Sequence, residues 1–155
     1  MSLNKASVLA RAGARGLTAA MAMSGARRLT TNLGLMEQTP PEAMVERGAP
    51  QSVKDLDPEK RAAVTELAHW AYGAGGGFVF GVLPRRVRSH PASGLVFGIA
   101  IWLGFELAIA PILGAQNKQG RRLGQVMLMA DHALYGVMVS GRLAPEPEIT
   151  RRRRA

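Results

Sequence analysis

Cysteine is absent from the 155 residues. That excludes disulfides, thiolate zinc sites, iron–sulfur clusters and a cysteine nucleophile, and leaves the redox state of the compartment unread. Aromatic residues make up only 5%, too few for a surface that stacks bases. No G-x-S-x-G, P-loop, H-E-x-x-H or dinucleotide fingerprint is present, so the usual sequence marks of enzymatic chemistry are missing. No acidic residue precedes Glu37. Charge is also scarce across the centre: 9 charged residues lie between Ala62 and Gly141, and the remaining 22 of 31 fall outside that stretch.

What the sequence has in place of these is apolar length and glycine. Leu67 to Pro84 carries no charge and is bracketed by Lys60–Arg61 and Arg85–Arg86. Ser89 to Asn117 carries only Glu106, and Leu123 to Gly141 carries only Asp131 between Arg122 and Arg142. About 20 apolar residues in a helix cross the hydrocarbon of a bilayer, and basic residues collect at its edges. The net charge of +9 therefore reads as membrane-edge charge, not as a nucleic-acid face. Of the 18 glycines, most sit inside apolar runs. Soluble helices avoid this, because glycine costs about 1 kcal/mol against alanine, whereas membrane helices use small residues for close approach.

The fold class expected is all-α: a multi-span helical membrane bundle with three or four transmembrane helices and a probable 2+2 parallel repeat. One membrane domain covers residues 1–141, with spans at 8–26, 62–83, 92–114 and 123–141 and a polar loop at 31–59, followed by a basic disordered tail at 142–155. The first span is the weakest and carries Arg11 and Arg15, one helical turn apart, which can reach the headgroups. A rival reading takes residues 1–35, rich in Lys, Arg, Ser and Thr, as an amphipathic organelle-targeting segment. The ladder Gly16, Ala20, Ser24 supports a packed span. Asp57-Pro58-Glu59 reads as a helix start, and a short helix from Pro41 is expected within the loop. With four spans, one side of the membrane holds 11 Lys and Arg and the other 9, which favours both termini inside by the positive-inside rule.

His69-Trp-Ala-Tyr72-Gly73 returns as His132-Ala-Leu-Tyr135-Gly136, the basis of the repeat. Small residues recur every fourth position: Gly73, Gly77, Gly81; Gly94, Gly98; and Gly124 with Gly136. Residues four apart share a helix face, so these glycines are read as helix-packing positions, of the G-x-x-x-G kind in the second span. The same stripes carry His69, Glu106 and His132. At about 1.5 Å per residue, these lie about 12, 18 and 15 Å from the basic brackets of one membrane side. An ionised group there costs at least about 2.5–3.5 kcal/mol, so a polar cluster of Glu66, His69, Tyr72, Glu106, Asp131, His132 and Tyr135 is expected. Three uses are open: interhelical hydrogen bonding, a proton or cation path, or a b-type haem between His69 and His132. His90 reads as a loop residue, and Gly73–Gly77 follows no strand that would make it a phosphate cradle.

On these residues the chain resembles small bacterial inner-membrane proteins of the YagU-like kind. The residues concerned are Gly16-Leu17-Thr18-Ala19-Ala20-Met21, Pro40–Pro41, His69-x-x-Tyr72-Gly73, the Gly94–Trp102–Pro111 run and His132-x-x-Tyr135-Gly136. The resemblance implies a small helical integral membrane protein and supplies no reaction. The expectation is a non-enzymatic, multi-pass protein of the bacterial inner membrane, or of an organelle inner membrane if residues 1–35 target it. It requires no cofactor, metal or nucleic acid. Its partners are the lipid bilayer and either a second copy of itself, meeting it on the glycine faces, or a larger membrane complex. Its role is that of a structural or accessory component, the alternative being a small proton or cation transporter.

Overall fold

In the computed structural model, which describes residues 5–33, 40–112 and 122–142, every regular element is helical. The tail at 143–155, and with it the expectation of disorder there, lies outside the described residues, as do Lys118 and Gly114. The order is α1 (Lys5–Asn32), α2 (Pro40–Gly48), α3 (Gln51–Lys54), α4 (Pro58–Val82), α5 (Arg85–Arg88), α6 (Ser93–Gly104), a π-helical turn (Phe105–Ile109), α7 (Ala110–Ile112) and α8 (Arg122–Val139).

α1 is one uninterrupted helix of 28 residues, about 42 Å long. It runs antiparallel along α4, and α6 runs antiparallel along α8. These two pairs make most of the contacts, and α1 also leans on α8. Both pairs close through backbone. A β-carbon at Gly73 would strike the Ala20 side chain, and one at Gly77 the Ala12 carbonyl. At Gly98 it would strike the His132 carbonyl, and at Gly136 the Gly94 carbonyl. Gly81 meets the Ala12 side chain, and Gly94 lies beneath Ser140. These glycine faces are thus occupied inside the chain, and a second copy would have to meet it on another surface.

The interior is small and the exterior large. The buried apolar residues are Ala12, Ala19, Ala20, Met23, Phe80, Ala110, Tyr135 and Val139, and of the larger side chains only Val139 is fully enclosed among the described residues. Phe80 meets Phe97 edge-to-face at 5.1 Å between ring centres, a favoured aromatic geometry. Among the described residues, 18 large apolar side chains are exposed. They include Leu67, Val79, Val82, Val96, Leu107 and Ile112.

By length and composition, one helical stretch among the described residues, Ser93–Ile112, is long and apolar enough to cross a membrane. The glycines of α4 and α8, which add length without hydropathy, and their His69, Asp131 and His132 hold those helices below that mark. The arginines of α1 do the same there.

Two local expectations change. Asp57 occupies the N-cap of α4, with Pro58 at its first position, yet its side chain makes no capping bond. It pairs instead with Lys60 Nζ at 2.8 Å. The loop at 31–59 holds two helices, α2 and α3, and α2 packs against α4.

Candidate functional site

Between α1, α2, α4, the π turn and α8 lies a cavity of about 460 Å³. Its wall is mostly apolar. Met44, Val45, Gly48 and Ala49 of α2 close one side, and Trp102, Phe105 and Ile109 close another. Seven polar or charged side chains stand on that wall among them: Arg27, Thr65, His69, Tyr72, Glu106, Asp131 and His132. Five of the seven residues of the expected polar cluster therefore meet in one space.

The remaining two are placed elsewhere. Glu66 accepts a hydrogen bond from Ser24 Oγ at 2.5 Å and lies 3.7 Å from the exposed Arg28 guanidinium. Tyr135 is buried and donates its hydroxyl to the Gly73 carbonyl at 2.6 Å, tying α8 to α4. Its counterpart Tyr72 is 53% exposed. The histidine–tyrosine repeat in the sequence thus gives two different outcomes in space.

Arg27 organises the α1 side. It is only 6% exposed. One guanidinium nitrogen donates to Ser24 Oγ at 3.1 Å, and the same atom lies 3.0 Å from His69 Nδ1. The other lies 3.4 Å from His69 Nε2. Ser24 Oγ also receives Trp70 Nε1 at 3.2 Å. A seam of Ser24, Arg27, Glu66, His69 and Trp70 therefore stitches α1 to α4. The Arg27 charge reaches Asp131 and His132 as well.

With both His69 nitrogens facing Arg27, neither offers an open lone pair to iron. The donor set does not fit a haem held by His69 and His132. His132 differs: its Nδ1 lies 2.8 Å from its own helix's Leu128 carbonyl. That bond places the proton on Nδ1 and leaves Nε2 as the acceptor.

Glu106 sits within the π turn. The turn closes when Ala110 N–H bonds back to the Phe105 carbonyl, five residues earlier. Pro111, one residue beyond, has no N–H, and its ring would press on the carbonyl four residues back. A widened turn relieves that conflict, and such turns are frequent at functional sites. Trp102 Nε1, on the same wall, is buried and has no acceptor among the described residues. Among the described residues, no three His, Asp or Glu side chains stand close enough to share a metal ion.

Sequence reading placed Arg27 at a membrane edge and missed it as a site residue, together with Ser24 as a hub and Trp102. A signal for Arg27 was present: Gly16, Ala20, Ser24 and Arg27 continue one helix face at spacings of four, four and three. No known protein family, curated protein or solved structure matches the chain.

Proposed function

We propose that the chain is a multi-span helical membrane protein, built as a 2+2 parallel repeat, that moves protons through the cavity at Glu106, Asp131 and His132. The membrane part of this reading is supported by the inverted distribution of size. Glycine and alanine line the helix contacts around a small core of Met23, Phe80, Tyr135 and Val139, and many large apolar side chains face outward over α1, α4, α6 and α8. The repeat is supported by the two antiparallel pairs, each ending in a helix with the His-x-x-Tyr-Gly sequence. The packing of α1 along α4 supports 8–26 as a span of the same bundle.

The observation that carries the proton reading is a division within the polar residues. Glu66, His69 and Tyr135 are engaged across helices, as interhelical hydrogen bonding requires. Glu106, Asp131 and His132 line the cavity, and among the described residues no hydrogen bond or salt bridge ties their side chains to another helix, although the Arg27 charge acts on Asp131 and His132. Packing accounts for the first set and not for the second. Two carboxylates and an imidazole with an open Nε2, placed in an apolar cavity beside the Arg27 charge, form a set of sites between which protons can pass. Water in the cavity would also accept from Trp102 Nε1.

Purified protein in liposomes that enclose a pH-reporting dye should dissipate an imposed pH gradient. Glu106→Gln should slow it at least tenfold, with unfolding temperature in detergent unchanged. Wild-type vesicles no faster than protein-free ones, or a variant equal to wild type, would overturn the proposal. Retention in the membrane pellet after alkaline carbonate extraction tests the membrane reading separately.

A second reading, a structural or accessory component of a membrane complex, is favoured by the α1–α4 polar seam. Co-purification of a stable partner in mild detergent, without any proton flux, would select it.

A further inference from the structure

At the end of the bundle away from α2, a second cavity of about 540 Å³ lies between the N-terminal half of α1, the end of α4, α5 and the end of α8. Four arginines stand on its wall: Arg15, Arg85, Arg88 and Arg142, joined by Ser89 and Ser140. They come from three separate places in the sequence, α1, α5 and the end of α8, and no carboxylate of the described residues lines the cavity. The imbalance extends beyond it. Among the described residues this end holds Lys5, Arg11, Arg15, Arg85, Arg86, Arg88 and Arg142, and no Asp or Glu.

The arginines are positioned by the fold. Arg88 Nε donates to the Leu83 carbonyl at 3.0 Å and Arg142 Nη2 to the Ser89 carbonyl at 3.1 Å. Each guanidinium has five N–H donors, so these single bonds set orientation and leave further donors on the wall. Arg15 reaches across from α1 to lie against Gly141, where a β-carbon would fall 2.5 Å from its Cζ. Gly141 also has φ +77°, the left-handed conformation that ends α8 and suits glycine. The residue that stops α8 is thus also the one that gives Arg15 room.

We propose that this cavity binds a phosphate-bearing anion, either the headgroup of an anionic phospholipid or a free phosphate. Guanidinium pairs match phosphate oxygens in a fork that ammonium groups cannot reproduce. Arg85, Arg88 and Arg142 bring like charges to one space, where they repel one another, and an anion between them reverses that. The volume suits a headgroup and its glycerol, and basic pockets between membrane helices take anionic headgroups in this way. The lipid source rests on the membrane reading, and the phosphate site does not.

The full chain in a nonionic detergent should be titrated with short-chain phosphatidylglycerol, short-chain phosphatidylcholine and inorganic phosphate, reading the unfolding temperature. A saturable rise with phosphatidylglycerol and not with phosphatidylcholine identifies a lipid headgroup. A saturable rise with inorganic phosphate alone identifies free phosphate, and it upholds the site even if the membrane reading fails. Arg88→Gln/Arg142→Gln should weaken binding at least tenfold. The charge-matched control Lys60→Gln/Arg61→Gln, at the other end, should leave it unchanged. If the double variant does not fold, Arg85→Gln, on an exposed side chain, should weaken binding about threefold. No saturable rise with any anion, or equal loss in the control, would overturn the proposal.

Discussion

The two helix pairs close by the same means and differ in what else they do. α1 meets α4, and α6 meets α8, at glycines whose missing side chains let backbone touch backbone. Across the first seam, Ser24, Arg27, Glu66, His69 and Trp70 also bond to one another. Across the second, contact is between backbones, at Gly94, Gly98 and Gly136. The difference teaches why the second pair leaves titratable groups on the cavity wall. α6 and α8 adhere without using their titratable groups, so Glu106, Asp131 and His132 remain on the cavity wall.

The comparison can be broken most forcefully at the second seam. Gly98→Val pushes two methyl groups and a β-carbon into the His132 carbonyl, and overpacking of this kind costs about 1–3 kcal/mol or more. Thermal unfolding in detergent should show a large loss, and Gly104→Ala, with nothing near its β-carbon, should show none.

The first seam should respond less, and to charge. Arg27→Met removes the buried donor shared by Ser24 and His69, at a cost of about 1–3 kcal/mol. Arg28→Met, whose side chain is 74% exposed, should cost no more than about 1 kcal/mol. Equal effects in the same melts would show that burial of Arg27 does not matter. The smallest effect is expected where α8 ties to α4. Tyr135→Phe loses one hydroxyl bond to Gly73, about 0.6 kcal/mol for such pairs in a bilayer. A loss of several kcal/mol would mean that this bond holds the two pairs together.

Much of the helical outline was legible because arginines punctuate it. Arg61, Arg85 and Arg122 mark helix ends within a few residues, since charge concentrates where a helix leaves an apolar layer. That same rule hid Arg27, because a charge near the end of an apolar run reads as an edge, and only tertiary packing shows it turned inward. The repeat had the opposite fault. It made Tyr72 and Tyr135, and His69 and His132, look equivalent, while α1 packs mainly along the first copy and sets Arg27 directly against His69. The convergence of Glu106, Asp131 and His132 was readable from spacing, because residues on one stripe at one height must meet if the helices pack. The π turn was not, since local hydrogen-bond slippage leaves no periodic trace, and Pro111 was its one sign.

That turn has a consequence for editing the chain. A π turn is an α-helix with one residue too many, so deleting one residue between 105 and 109 would let the helix rewind into uniform α. Five residues of a π turn carry the chain about as far round as four of an α-helix, so the flanking helix would keep its register and only the residues inside the turn would change heading. Glu106 would lose its place on the cavity wall without any loss of helix. A shorter chain with an intact circular dichroism spectrum and a silenced cavity would show that the widened turn exists to aim one carboxylate.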